Sequence, residues 1–280
     1  MNLRTFLLSI FFIIGAVYFR GKPDFKTSQN PPALIEEPLQ GNKRIDNFNQ
    51  AKVILFDIYR EHPITFYCGC RFFGREVDLK SCNYIPQKSY ERAKRVEWEH
   101  IVPASSFGQS FSAWRDGHPD CVDSKGRSFR GRRCAQLVSA TFRRMEADMH
   151  NLVPAIGEVN GLRSNYDMGV IEGSQGQLGN CSTKIWNKTI EPRPEDQGFV
   201  ARAYLYMDTS YPGHGIIISR KNKKLFAAWN RMHPPTPFER KRAKIIARIQ
   251  GNTNSFIEDN KIASGEENCS HSKQGKSCLE

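Results

Sequence analysis

The sequence predicts a single mixed α+β domain stapled by disulfides, and three observations carry that expectation. Eight cysteines, an even number, follow an N-terminus built like an export signal. The stretch Val96-Glu97-Trp98-Glu99-His100-Ile101-Val102-Pro103 alternates apolar and polar side chains with the period of a strand, whereas Thr236 to Gln250 has the capped, 3.6-residue period of a helix. With 280 residues, 39% of them hydrophobic and 25% charged, the chain can bury a sizeable core, and its composition is neither disordered nor collagen-like.

Residues 1–20 join Arg4 to an apolar run from Thr5 to Phe19 and close on Arg20. The run is shorter than the roughly 20 residues of a membrane span, so it reads as an export signal. An uncleaved anchor is the alternative, because Val17, Tyr18 and Phe19 stand where small residues would precede a cleavage site. Residues 21–45, with Asn30-Pro31-Pro32 and Glu37-Pro38, read as a linker. Residues 46–251 show no composition break or repeat and read as one domain; residues 252–280 read as a polar tail.

In an exported chain Cys68, Cys70, Cys82, Cys121, Cys134, Cys181, Cys269 and Cys278 point to four disulfides. Cys121 with Cys134, and Cys269 with Cys278, would each close a short local loop. A zinc site lacks the second Cys-x-x-Cys or His pair that would complete it.

The strand from Val96 ends at Pro103. Neighbouring strand side chains face opposite ways, so Glu99 and His100 can share a site only at a strand end or bulge. The bland alternative is a histidine capping the core beside a surface glutamate. A short extended piece at 151–153 precedes a helix expected to start at Pro154, in which Ile156, Val159, Asn160 and Arg163 share the inward face. Gly157 and Gly161 each cost that helix about 1 kcal/mol, which points to close approach by another backbone or a ligand. Ala203 to Met207 and Ile216-Ile217-Ile218 read as short β segments joined by a turn around Pro212-Gly213. Thr236-Pro237-Phe238-Glu239 forms a capping box, Gly251 ends the helix, and Phe238, Ile245, Ile246 and Ile249 lie on its apolar face.

The chain carries 41 Lys and Arg against 29 Asp and Glu, a net +12, and loss of Arg4 and Arg20 with the leader would take +12 to +10. Such a surplus suits a polyanion, either nucleic acid or an anionic membrane surface. A strand bearing Glu99 and His100, then an extended piece and a helix bearing Asn160, makes a ββα arrangement. Carboxylate and amide oxygens there suit a hard cation such as Mg²⁺, which needs few protein ligands. Imidazole, with an ordinary pKa near 6.5, suits a general base.

At these residues the chain resembles a known family. Glu97-Trp98-Glu99-His100-Ile101-Val102-Pro103-Ala104, then Met145-Glu146-Ala147-Asp148-Met149-His150-Asn151-Leu152 and Pro154-Ala155-Ile156-Gly157-Glu158-Val159-Asn160-Gly161, are similar to motifs of the endonuclease I family of bacterial periplasmic and secreted nucleases. The resemblance continues through Tyr67-Cys68-Gly69-Cys70 and Phe226-Ala227-Ala228-Trp229 to Ile249-Gln250-Gly251-Asn252, and covers 46–254. It implies a ββα-metal (His-Me finger) nuclease. His100 is then the general base, Glu99 and Asn160 hold Mg²⁺, or Mn²⁺ or Ca²⁺ in the same site, and Glu146 is a site acid acting through water held by the metal. The family's phosphate-contacting arginine shortly precedes a cysteine, which leaves Arg132 and Arg133 in Gly131-Arg132-Arg133-Cys134 as candidates. Cys121 to Arg130 departs from the family pattern and looks inserted, and Leu162 stands where the family usually has an acid.

The expected protein is a periplasmic or secreted, metal-dependent endonuclease with little sequence preference, since phosphate contacts carry no base information. Its substrate is DNA, with RNA second, and its products end in 5′-phosphates. It is a monomer with no obligate protein partner. The competing class is a non-catalytic basic protein that binds nucleic acid or an anionic surface, against which the presence of Glu99, His100, Glu146 and Asn160 together argues. A metalloprotease is excluded because its His-Glu-x-x-His helix is absent.

Overall fold

The computed structural model describes residues 40–216 and 218–258. The proposed leader, most of the linker and the Cys269 with Cys278 pairing lie outside the described residues.

Helix α1 (Phe48–Ile58) begins where Asn47 Oδ1 accepts the N–H groups of Asn49 and Gln50 at 2.9 and 3.1 Å, and buries Ala51, Leu55 and Ile58. A hairpin of β1 (Arg71–Phe73) and β2 (Glu76–Asp78) follows, then the short helix α2 (Tyr90–Ala93) and strand β3 (Val96–His100). The excursion after β3 is helical: α3 (Ala104–Gly108), α4 (Ser112–Arg115), α5 (Arg132–Val138) and α6 (Ala140–Glu146). Strand β4 (Leu152–Ile156) returns antiparallel to β3, pairing Trp98 with Pro154 and His100 with Leu152, and runs into helix α7 (Gly157–Arg163). Short strands β5 (Asp167–Met168), β6 (Gln177–Leu178), β7 (Cys181–Trp186) and β8 (Thr189–Glu191) form a separate sheet in the order β5-β8-β7-β6. Helices α8 (Pro194–Ser210), α9 (Arg220–Met232), α10 (Pro237–Gln250) and α11 (Ser255–Glu258) complete the described chain. Val96, Leu152 and Ile156 of the β3–β4 pair share one core with Leu55 of α1, Phe142 of α6, Tyr206 of α8 and Ile246 of α10.

The mixed α+β expectation holds, and three disulfides staple it: Cys68–Cys181, Cys70–Cys82 and the expected Cys121–Cys134. Among the described residues no three His, Cys, Asp or Glu side chains converge as a metal cage would require.

Three local expectations are corrected. The helix does not start at Pro154: that residue lies inside β4, and α7 begins at Gly157. Proline is tolerated there because beyond β3 the strand meets only an isolated bridge, Phe66 with Ala155, and the Pro154 carbonyl accepts from Phe66 N at 2.7 Å. Ala203 to Met207 is helical, lying within α8, where Pro194 at the start and Glu195 and Asp196 in the first turn set the helix, and Ala203, Tyr206 and Met207 fall at i, i+3, i+4 on its buried side. Ile216 and Ile218 are buried but lie in no strand. The α10 reading stands, with Thr236 Oγ1 accepting from Glu239 N at 3.1 Å and Gly251 capping at φ +79°. Its capping box is half made, because the Glu239 carboxylate is buried against Arg202 at 2.7 Å through both oxygens.

The folded body also reaches past 46 and 251. Asn42 and Ile45 are buried, as are Asn252, Asn254 and Ile257. Asn42 and Asn252 join a network centred on Asp148, fully buried, whose carboxylate accepts from Tyr206 and Tyr211 hydroxyls at 2.5 and 2.6 Å and from Gln250 Nε2 at 2.9 Å. Asn42 N donates to Tyr211 Oη and Asn252 Nδ2 to Tyr206 Oη. Such a satisfied network is costly to open and fixes the segment between α6 and β4.

Candidate active site

His100 ends β3 in regular register with β4, so the strand end, without a bulge, lets it and Glu99 line one cleft of about 270 Å³. Arg132, Asn160 and Arg163 line the same cleft. Two sequence candidates separate here: Arg132 enters the cleft and Arg133 instead stacks on Phe129, its guanidinium 4.5 Å from the ring centroid.

His100 Nε2 lies 2.8 Å from the backbone carbonyl of Glu146. A carbonyl only accepts, so in the neutral ring Nε2 carries the proton and Nδ1 keeps the lone pair. Burial, reinforced by the positive charge of Arg132, holds the imidazole pKa down to about 3, well below the ordinary histidine value. The ring also packs on Phe48, centroid to centroid 5.0 Å, which fixes its plane.

Glu99 is 3% exposed. Its Oε1 takes Arg163 Nη1 at 2.8 Å and the Tyr67 hydroxyl at 3.0 Å, leaving Oε2 without a hydrogen-bond partner among the described residues. Burial pushes this carboxyl up, and Arg163 and Tyr67 oppose that shift. Arg163, itself 1% exposed, also donates to the carbonyls of His100 and Ile101 at 2.7 and 2.6 Å, so one guanidinium holds both the carboxylate and the backbone that carries the histidine.

Asn160 donates from Nδ2 to Glu97 Oε2 at 2.9 Å, which orients its Oδ1 away from that carboxylate. Glu97 is held in turn by Arg92, Nε to Oε1 at 2.9 Å and Nη2 to Oε2 at 2.8 Å. The glycines explain themselves at this point. A Cβ on Gly157 would stand 2.7 Å from the Arg92 carbonyl and one on Gly161 would stand 2.2 Å from Arg92 Nη1, so both glycines admit Arg92 against α7. Glu146, 2% exposed, has its carboxylate held by Arg132 Nε and by Gln136 Nε2 at 2.8 Å to each oxygen.

Sequence reasoning did not single out Tyr67, Arg92 or Gln136 for the site. Tyr67 comes from a turn with φ +68°, and its only signal was its place beside Cys68-Gly69-Cys70. The donor set suits a hard cation: Glu99 Oε2 and Asn160 Oδ1 are oxygens with no hydrogen-bond partner among the described residues, on residues lining one cleft.

The endonuclease I family profile matches residues 39–261. An extracellular deoxyribonuclease of Aeromonas hydrophila is 41% identical over 232 residues, 80% of this chain and 93% of that protein. A periplasmic deoxyribonuclease of the same organism is also 41% identical, over 80% of this chain and 90% of its own length. Endonuclease-1 of Buchnera aphidicola subsp. Acyrthosiphon pisum is 39% identical over 86% of this chain and 90% of its own. The matched profile and these relatives show that the chain belongs to the endonuclease I family, and it is a periplasmic or secreted endonuclease.

Proposed function

We propose that this protein hydrolyses DNA phosphodiesters, with little regard to base sequence, through a ββα-metal site formed by β3, β4 and α7, and that it acts as a monomer and also cuts RNA. The observation that carries the reading is the convergence of Glu99, His100, Arg132 and Asn160 on one cleft, with the histidine already oriented by the Glu146 carbonyl. The alternative of a basic protein that binds without cutting leaves this convergence unexplained.

In this reading Glu99 Oε2 and Asn160 Oδ1 hold Mg²⁺, Mn²⁺ or Ca²⁺. The bound cation would supply positive charge at the phosphoryl oxygens and assist the departing 3′ oxygen, giving 5′-phosphate ends. His100 Nδ1 takes the proton of the attacking water. A pKa near 3 makes a poor base in the free protein, but a phosphate entering the cleft brings negative charge beside the ring and raises its proton affinity. Arg132 is near enough to neutralise phosphoryl charge, and Glu146 with Gln136 sets its direction.

Incubation of the oxidised protein with supercoiled plasmid should give nicked and then linear DNA in Mg²⁺ and none in EDTA. Equal cleavage in EDTA would sink the metal, and no cleavage in any divalent cation would sink the reading.

A further inference from the structure

Beside the catalytic cleft runs a second groove of about 460 Å³, and the two share Phe48, Trp98 and Asn160. Lys52 of α1 and Arg75 of the β1–β2 turn both line it. Neither has an ion pair among the described residues, although the cations around them do: Arg92 and Arg95 with Glu97, and Arg132 with Glu146. Lys52 Nζ instead sits 4.7 Å from the Phe48 ring centroid, and the Arg75 guanidinium 5.9 Å from that of Phe56. The groove's one carboxylate, Glu97, is already engaged by Arg92 and Asn160. Burial first, and then repulsion from Arg75 and Arg132, keep the Lys52 ammonium pKa below that of an ordinary lysine, against an opposing pull from Glu146.

Two unpaired cations over aromatic rings, opening directly into a cleft that cuts phosphodiesters, leave a place for an anion spaced by a flat apolar body. We infer that this groove is a second phosphate-binding subsite: Lys52 and Arg75 hold the phosphodiester next to the one that is cut, and Phe48 and Phe56 flank the nucleoside between them. The inference rests on the proposed function and deepens it. It makes the enzyme need a strand that continues past the cleavage point, so a terminal linkage with no neighbour is cut slowly. The competing account is two solvated side chains resting on rings, an arrangement that contributes little in water.

Lys52→Gln, Arg75→Gln and the double variant, each in the full chain, test it. Binding of a short labelled single-stranded oligonucleotide is followed in EDTA across a salt series, and cleavage of the same oligonucleotide in Mg²⁺. Each lost contact should flatten the log–log salt slope by about 0.7, hence about 1.4 for the pair. In cleavage the double variant should show KM raised about tenfold with kcat within about twofold of wild type. An unchanged slope and KM would make these cations a solvated face. A fall in kcat at constant KM would put them on the reacting phosphate and overturn the subsite. If the wild-type chain cuts nothing, the proposed function fails on that result alone, and the salt slope in EDTA still decides the groove.

Discussion

One hydrogen bond to a backbone carbonyl decides which nitrogen of His100 can accept a proton, and that makes its replacement informative. His100→Ala should lower turnover by about 10²- to 10⁴-fold while oligonucleotide affinity in EDTA stays within about twofold, because a base acts on water and contributes no charge to binding in its neutral form. Retention of near wild-type turnover would assign the base elsewhere. The two adjacent arginines are separated by the same kind of argument. Arg132→Ala should depress kcat strongly, since it lines the cleft and its partner Glu146 is buried; Arg133→Ala should leave cleavage near wild type, since its guanidinium lies on Phe129. Equal losses in both would mean that Arg133 also reaches substrate. The sequence singled out Glu99, His100 and Asn160 by residue type and position but left a plain packing role open for each, and only the family resemblance gave them roles. It could not separate Arg132 from Arg133, which are neighbours on one helical turn and differ only in what the fold puts opposite each. Tyr67 and Arg92 were invisible for a related reason: they reach the site across 32 residues in one case and through Glu97 in the other, and no local period records such a meeting.

At the scale of elements, α7 tests how much a helix gives up for its neighbour. Gly157→Ala would press a Cβ on a backbone carbonyl that cannot swing away, so it should destabilise the protein by about 1–3 kcal/mol in urea unfolding. At Gly161 the obstacle is the far end of the Arg92 side chain. Gly161→Ala should therefore fold with near wild-type stability, helped by better helix propensity, yet lose activity as Arg92 leaves Glu97 and Asn160 loses its anchor. The opposite ranking, with Gly161→Ala unstable and fully active, would show that Arg92 does not position the amide. Helix α10 was legible because capping chemistry is local and Thr236, Pro237 and Gly251 carry it. The segment at 203–207 misled because Ala-Tyr-Leu-Tyr-Met satisfies a two-residue period and a helical one alike, and only the helix start at Pro194, with Glu195 and Asp196 in its first turn, distinguishes them.

Across the whole molecule, stability should follow acidity through buried imidazole. Burial holds His150 down to a pKa of about 4, against an ordinary value of 6.5. The unfolded chain thus binds a proton that the folded one refuses, so stability is fully present above about pH 6.5 and falls as pH drops toward 4, by up to about 1.4 kcal/mol per pH unit for this group. His150→Phe should show a shallower loss over that window in urea midpoints; an identical slope would remove His150 from the account. Removing Cys68–Cys181, which spans 113 residues, by a Cys68→Ser, Cys181→Ser double variant should cost about 4–5 kcal/mol by loop-closure entropy, and urea unfolding of the oxidised variant against wild type measures it. The Asp148 network has a consequence for the order of events in a cell. Gln250, which holds Asp148, follows it by 102 residues, and Asn252 comes later still. A chain synthesised from its N-terminus therefore presents His100 and Glu146 long before Gln250 and Asn252, which complete the buried network around Asp148. The connection between α6 and β4 can thus be locked only once the chain is complete through Asn252, at the end of synthesis rather than along the way.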